Sequence, residues 1–193
     1  MILRGSDRME DNSSFSYRIN AIKINQLEPN GLLTIRCDLG SKEIAAVIKS
    51  VVGLSIPDCR KFLIKKDFQI YWMSHDELLV KGGYDNICST ETKLISKLKN
   101  THSSVVNISD SRTFFDIEGS GVQNVLGKLC PVDFSPTVFK VGDFRRTRMA
   151  QASVALSLLS PDKFQLMCFT SVKDYIQKLL EISISKGSEV NFY

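Results

Sequence analysis

Hydrophobic residues recur along the chain with two alternating periods, one typical of helices and one typical of strands. A block at 32–39 rich in strand-forming residues is followed by apolar positions three or four residues apart. That spacing predicts a helix ending at Gly53, with an apolar face made of Ile44, Val47, Ile48 and Val51. Residues 67–83 then alternate around a turn at 74–76, which predicts a hairpin. A second helix is predicted at 89–99, capped by Ser89 or Thr90.

The same order of elements begins again after residue 111. A strand is predicted at 112–119 and a helix at 122–129, followed by one extended stretch at 144–159 and a turn and strand at 160–169. Ser171 opens the last predicted helix, with Asp174 placed three residues later as in a capping box. The sequence therefore predicts two strand–helix–strand–strand–helix units, at about 32–99 and 112–183. Hairpins alternating with one-sided helices indicate an α+β fold with mainly antiparallel strands.

The two units are predicted to form one domain over residues 15–185, since each is small to build a core alone. Residues 1–14 are polar and are expected to be a flexible N-terminus. Residues 186–193 are expected to form a C-terminal tail. A strand-like stretch at 15–24 precedes the first unit.

Charge and cysteine usage exclude several classes of function. The net charge is +4, and the chain has no run of five like charges, so nucleic-acid binding is disfavoured. The five cysteines are scattered without zinc-ligand spacing, which indicates buried thiols in a reducing compartment. No stretch has the length of a signal peptide's apolar core or a membrane span. We therefore expect a soluble cytoplasmic protein with neither a nucleic-acid nor a membrane partner.

No catalytic constellation can be assembled from the sequence. The two histidines, His75 and His102, have no nucleophile and acid at recognisable spacing. Gly119 and Gly121 form a short Gly-x-Gly turn, but the third glycine of a dinucleotide fingerprint is replaced by Asn124. The turn is therefore interpreted as a tight bend between a strand and a helix.

Several polar residues are candidates for binding instead. Asp110 and Arg112 would be same-face neighbours on a strand and are expected to pair, either as a ligand site or as a structural ion pair. Arg146 and Arg148 would also share one strand face. They could meet an acidic partner surface or an anionic ligand, or form a solvated face. Trp72 is expected in the core or at an interface.

Two long segments resemble the gamma subunit of heterotetrameric sarcosine oxidase over about residues 20–185. One has a tryptophan before an Asp-Glu turn and an apolar strand; the other follows the pattern VLxKxCPxDxxPxxF. The matching positions are Trp72, Asp76, Glu77, 78–80, 107–112, Val125, Leu126, Lys128, Cys130, Pro131, Asp133, Pro136, Phe139, Phe164, Leu166, Asp174 and Tyr175. The chain departs from the family at His75 and Leu78, in the loop 58–67, and at Ser153, where the family has proline.

The resemblance implies a non-catalytic gamma subunit with a fold like the folate-binding domain of aminomethyltransferases. In such a complex sarcosine is oxidatively demethylated to glycine, with peroxide formed and the one-carbon unit passed to tetrahydrofolate. FAD, FMN, NAD, tetrahydrofolate and zinc would lie on other subunits, with none on this chain. The alpha subunit is the expected direct contact, within a complex that also holds beta and delta subunits. Candidate framework or interface residues are Trp72, Asp76, Asp110, Arg112, Cys130, Asp133, Arg146 and Arg148.

Two alternatives remain open at the level of sequence. The chain could be a stand-alone folate-binding one-carbon-transfer protein resembling aminomethyltransferase. Against this, the chain is short for a full folate pocket. It also has Leu129 in place of the glycine in the Lys-Gly-Cys run of related iron–sulfur-assembly proteins. A basic nucleic-acid module is the other alternative, which the mixed charge pattern disfavours.

Overall fold

The computed structural model describes residues 16–19, 21–188, 190 and 193, which contain eleven strands and four helices. The predicted N-terminal segment 1–14 lies outside the described residues. The strands are β1 (Ser16–Ile19), β2 (Ile22–Gln26), β3 (Gly31–Cys37), β4 (Phe62–Lys65), β5 (Phe68–Ser74), β6 (Glu77–Gly82), β7 (Ser103–Asn107), β8 (Arg112–Glu118), β9 (Phe144–Met149), β10 (Ala152–Ser160) and β11 (Lys163–Phe169). The helices are α1 (Lys42–Val52), α2 (Tyr84–Lys97), α3 (Val122–Leu129) and α4 (Lys173–Ser183).

The strands form two antiparallel sheets that pack face to face, with helices on both outer faces. Sheet A has the order β1-β2-β8-β11-β10-β9, and sheet B has the order β4-β5-β6-β3-β7. Apolar side chains of α3 and α4 pack on the outer face of sheet A, and those of α1 and α2 pack on sheet B. A third apolar cluster, including Leu32, Tyr71 and Phe114, fills the space between the sheets. The predicted α+β class with mainly antiparallel strands is confirmed.

The two units repeat the same topology, and each gives its leading strand to the other's sheet. Strands β4-β5-β6-β3 of one sheet correspond in order to β9-β10-β11-β8 of the other. Strand β2 leads into β3 but pairs with β8, whereas β7 leads into β8 but pairs with β3. The crossings match as well, since the Leu27 amide donates to the Phe114 carbonyl (2.8 Å) and the Ile108 amide to the Leu32 carbonyl (2.9 Å). The two units are thus interlocked.

Several local predictions differ from the structure, beginning with the order of each unit, which has three strands between its two helices instead of the predicted two. The single extended stretch at 144–159 is two strands, β9 and β10, because the chain reverses at Ala150, which has a φ of 48°. Helix α2 begins at Tyr84, so Ser89 and Thr90 lie inside the helix and cap nothing. The N-cap of α4 is Val172 without a side-chain cap, because Ser171 is in a short 3₁₀ turn that precedes the helix. The predicted capping box is therefore wrong.

Within the described part of the chain, no helix is long and apolar enough to cross a membrane.

Candidate functional site: an arginine groove at the edge of sheet A

A surface groove of about 680 Å³ runs along β9, the terminal strand of sheet A. Four of its lining residues are arginines, and no acidic side chain is found among the described residues that line it. We call it the arginine groove; its walls are Arg60, Trp72, Met73, Pro131, Val132, Phe144, Arg145, Arg146, Thr147, Arg148, Ser153 and Val154. Clustered guanidinium groups without carboxylates make a surface that favours anions.

Strand alternation sets the positions of the arginines on β9. Phe144 is buried and packs in the cluster between the sheets, so Arg146 and Arg148 extend from the same face of the strand beyond it. The shared face predicted for these two arginines is therefore what the structure has. Both are exposed. One guanidinium nitrogen of Arg146 donates to the carbonyl of Met73 at 2.9 Å, which holds that side chain over sheet B.

The backbone edge of β9 is capped at its two ends. The Phe144 amide donates to the Arg60 carbonyl (2.8 Å), and the Ala150 amide donates to the Leu129 carbonyl (2.9 Å). In an antiparallel strand the outward-facing peptide groups recur at every second residue, so those of Arg146 and Arg148 also face away from β10. Among the described residues none accepts a hydrogen bond from these two amides.

Arg60 is brought to the groove by an unusual backbone conformation. Its φ of 61° places it in the left-handed region, which costs a non-glycine residue of the order of 1–3 kcal/mol. The conformation directs its carbonyl towards β9, where it accepts from the Phe144 amide and, at 3.2 Å, from the Arg145 guanidinium. The strained turn therefore joins the two sheets at the end of the groove.

One buried carboxylate partly balances the charge near the groove. Asp143 is only 5% exposed, accepts from the Lys140 amide at 2.9 Å and contacts Lys61. A nitrogen of Arg145 lies 3.9 Å from the same carboxylate. Burial alone would raise the pKa of Asp143, but these hydrogen bonds and cations outweigh it and hold the pKa below its ordinary value. Asp143 stays ionised, and it is already shared between two cations.

Trp72 lies on β5, is half-buried and forms part of the groove wall. Asp76 lies instead in the β5–β6 turn, where Ser74 Oγ donates to its carboxylate at 2.5 Å and Arg36 lies 3.5 Å away. The hydrogen bond from Ser74 holds the pKa of Asp76 below its ordinary value. Asp76 therefore stabilises its own turn.

The predicted pairing of Asp110 with Arg112 is wrong. Asp110 has a φ of 69°, and β8 begins only at Arg112, so the strand alternation on which the prediction relied does not apply. The Asp110 carboxylate accepts a hydrogen bond from the Tyr84 hydroxyl. The Arg112 guanidinium stacks on the Phe169 ring, 3.5 Å from its centroid.

Cys130 and Asp133 flank the start of the loop after α3 and differ in their surroundings. Cys130 is 4% exposed, and burial raises the pKa of its thiol to about 12, so it is a protonated core group at neutral pH. Asp133 is exposed and accepts from the Ser135 amide at 2.8 Å, which holds the pKa of Asp133 below its ordinary value. Neither side chain lines the groove.

A polar layer between the two sheets was not anticipated from the sequence. The Tyr71 hydroxyl of sheet B donates to the Gln165 side chain of sheet A at 2.9 Å. The Gln165 amide nitrogen donates to Asp116 at 2.9 Å, and Lys163 lies 2.7 Å from the other carboxylate oxygen of Asp116. These polar residues alternate with core residues on their strands, so their pattern resembles that of solvent-facing positions. Only the packing of the second sheet buries them.

Lys81 is the second cation of this layer and is more deeply buried than Lys163. It is 6% exposed, and its amine lies 4.4 Å from the centroid of the Phe114 ring. Burial lowers the pKa of Lys81 to about 8, although attraction by Asp116 acts in the opposite direction. A buried amine of this kind makes folding stability depend on pH.

The arrangement of the groove suits binding rather than acid–base or nucleophilic chemistry. Its described lining has no histidine, cysteine or carboxylate, and its hydroxyls belong to Thr147 and Ser153. His75 and His102 are both exposed and lie outside the lining. No group of three potential metal ligands is found in the described part of the chain. The sequence identified Trp72, Arg146 and Arg148, but it gave no signal that Arg60 joins them.

Comparison with known proteins identifies the fold first. A chain of the heterotetrameric sarcosine oxidase from Corynebacterium sp. U-96 superimposes with a TM-score of 0.79 at 20% identity, covering 89% of this chain and 88% of that chain. Aminomethyltransferase T of the glycine cleavage system from Bartonella henselae superimposes with a TM-score of 0.56 at 11% identity. That match covers 80% of this chain but 44% of the other. The chain thus has an α+β fold shared with both proteins.

The family follows from the sequence itself. A model of the sarcosine oxidase, gamma subunit family matches residues 36–185, so the chain belongs to that family. A comparison with curated protein sequences gave no significant match.

Proposed function

We propose that this chain is the non-catalytic gamma subunit of a heterotetrameric sarcosine oxidase complex. The observation that carries the proposal is the family match over residues 36–185, together with a fold that follows a chain of such an oxidase along 88% of its length. The cation-rich groove supports it, because its described lining offers an interface for an anionic surface and no acid–base pair.

In this proposal the reaction takes place on other subunits. The complex demethylates sarcosine oxidatively to glycine, and the cofactors of the expected complex, FAD, FMN, NAD, tetrahydrofolate and zinc, are held elsewhere. This chain contacts the alpha subunit directly and shares the assembly with the beta and delta subunits. Its contribution is to assemble and stabilise the complex.

The test is co-expression of the tagged chain with the three candidate partner subunits. We expect a yellow flavoprotein to co-purify through the tag and to form peroxide when sarcosine is added. The same expression without this chain, with the tag moved to the alpha subunit, measures what the gamma subunit adds to yield and activity. A chain that elutes alone and colourless would contradict the proposal.

Aminomethyltransferase similarity supplies the competing function, a stand-alone folate-binding protein. It rests on a fold match at 11% identity that spans 44% of the transferase. Titration of tetrahydrofolate into the isolated chain separates the two functions. Saturable binding by the isolated chain, without co-purifying partners, would favour the folate-binding protein.

A further inference from the structure

The arginine groove combines an unpaired strand edge with a cluster of guanidinium groups. It is lined by residues 144–148 of β9, the terminal strand of sheet A, and the outward peptide groups of Arg146 and Arg148 lie between the capped ends of that strand. Exposed strand edges are templates for pairing with another chain. Residues 145–148 supply three guanidinium groups to the lining, and Arg60 supplies a fourth from the turn at the end of the groove.

We propose that the arginine groove receives an extended acidic segment of a partner subunit, which adds to sheet A as a further strand beside β9. The partner's identity as a subunit of the oxidase rests on the proposed function. The chemistry of the segment is set by the groove alone. Main-chain hydrogen bonds to β9 would fix the segment's position, and carboxylates at alternate positions would meet the arginines.

The spacing of the charges favours a polypeptide over a small anion. Arg146 and Arg148 are two residues apart on a strand, so their Cα atoms are separated by about 6.6 Å. Side chains two residues apart on a neighbouring strand have the same separation, and opposite charges placed across a strand pair stabilise it. The groove is also lined by Trp72, Pro131 and Val132, which offer apolar surface to the side chains between the carboxylates. The segment that fits best therefore alternates acidic and apolar residues.

The probe is a fluorescein-labelled peptide of eight residues that alternates glutamate and valine. Its binding to the full chain is measured by fluorescence anisotropy at low and physiological salt. We expect saturable binding that weakens with salt, because exposed charge pairs are screened. Arg146→Ala/Arg148→Ala should weaken binding about tenfold. The matched control is Lys93→Ala/Lys99→Ala, which removes one exposed cation on α2 and one just after that helix and should change nothing. Helix α2 packs near the opposite edge of sheet B.

Backbone methylation separates strand addition from simple charge attraction. Two further peptides carry N-methyl groups, one on every valine nitrogen and the other on every glutamate nitrogen. Only one set of amides can face β9, so one methylated peptide should lose about tenfold or more in affinity while the other binds like the parent. Equal binding by both methylated peptides would overturn strand addition in favour of a general anion site. The same conclusion would follow if inorganic tripolyphosphate displaced the labelled peptide as well as the unlabelled parent peptide does. This comparison does not depend on the folding of any variant.

The assembled complex provides the second readout. If the wild-type chain co-purifies with its partners and the Arg146→Ala/Arg148→Ala chain does not, the groove is the docking surface. If both co-purify equally through a salt series, the groove proposal fails while the proposed function stands. If neither co-purifies but the peptide binds with the expected methylation pattern, the proposed function fails and the partner-subunit part of this inference fails with it.

Discussion

Burial of the Lys81 amine predicts how the free energy of unfolding changes with pH. Its pKa of about 8 in the folded chain compares with an ordinary value of 10.5, so folding favours the neutral amine. This difference corresponds to about 3 kcal/mol of folding free energy, because one pKa unit is worth about 1.36 kcal/mol. The free energy of unfolding is therefore about 3 kcal/mol higher above pH 10.5, where the amine is neutral in both states, than well below pH 8. This stability is lost as the pH falls through 8 and the buried amine takes up a proton.

Lys81→Met removes the titrating group and keeps an unbranched side chain of similar length in the layer between the sheets. Below pH 7 the variant should be more stable than the wild type by up to about 3 kcal/mol, since it no longer buries a charge. The advantage should fall by about 1 kcal/mol between pH 8 and 9 and disappear near pH 10.5. The substitution leaves Asp116 with a cationic partner, because Lys163 lies 2.7 Å from its carboxylate.

Urea unfolding of both proteins at half-unit steps from pH 7 to 10.5 measures this difference directly. The prediction concerns the difference in unfolding free energy between the two proteins and not the wild-type curve alone, because the buried thiols change stability with pH in the opposite direction. The pKa of Cys130 and that of Cys168 are raised to about 12 from 9.0, so the wild type loses stability through them above pH 8–9. That loss is common to both proteins and cancels.

Lys163→Met is the control of opposite sign. Its hydrogen bond to Asp116 raises the pKa of Lys163, so its stabilisation is present below pH 10.5 and is lost only above it. The Lys163 variant should therefore be less stable than the wild type, by a margin that stays nearly constant from pH 7 to 9. A Lys81 variant whose margin is equally constant would show that burial does not depress the amine's pKa, and the reasoning would be refuted.

Three further predictions test the packing. Gly119→Ala should lower the free energy of unfolding by about 3 kcal/mol or more, because the new Cβ would lie 1.9 Å from the Ala21 carbonyl oxygen. Gly53→Ala is also at positive φ but in open space, so it should cost only about 1 kcal/mol. Equal urea midpoints for the two variants would contradict this. Tyr71→Phe should lower the free energy of unfolding by about 1–2 kcal/mol, because Gln165 loses its hydrogen bond from the other sheet, and an unchanged value would argue against that bond. Ellman's reagent at pH 8 should label two thiols quickly and three only after unfolding, whereas five fast thiols would refute the buried assignment. The fast pair is Cys59 and Cys88, and the slow set is Cys37, Cys130 and Cys168.

The periodic elements could be predicted because their signal is local. The face of α1 and its end at Gly53 follow from spacing alone, and in the structure the Gly53 φ is 78°. The turn at Ala150 gave no such signal, because it reverses the chain in a left-handed conformation without glycine, asparagine or proline at that residue. The single extended stretch therefore hid two strands.

The exchange of β2 and β7 between the sheets could not be read from the chain, because strand pairing depends on distant partners. For the same reason, only the part of the groove on β9 could be predicted from the sequence. Arg146 and Arg148 are neighbours in sequence and share a face by simple alternation. Arg60 is 85 residues from Arg145, and only the folded chain places its carbonyl 3.2 Å from that guanidinium. Sequence patterns report which face a residue is on, but not what packs against that face.

The exchanged strands make the duplication indivisible. If a gene fragment encoded only residues 112–183, β8 would lack β2 and become a bare sheet edge, and a fragment of residues 31–99 would leave β3 without β7. Each half would thus present an unpaired strand that the other half's lead-in segment normally covers, which is the situation that promotes swapping and aggregation. A single unit with its own lead-in strand could fill both positions only by exchanging that strand with a second copy. With both units in one chain the exchange is intramolecular, and neither half can be removed without exposing a strand edge of the other.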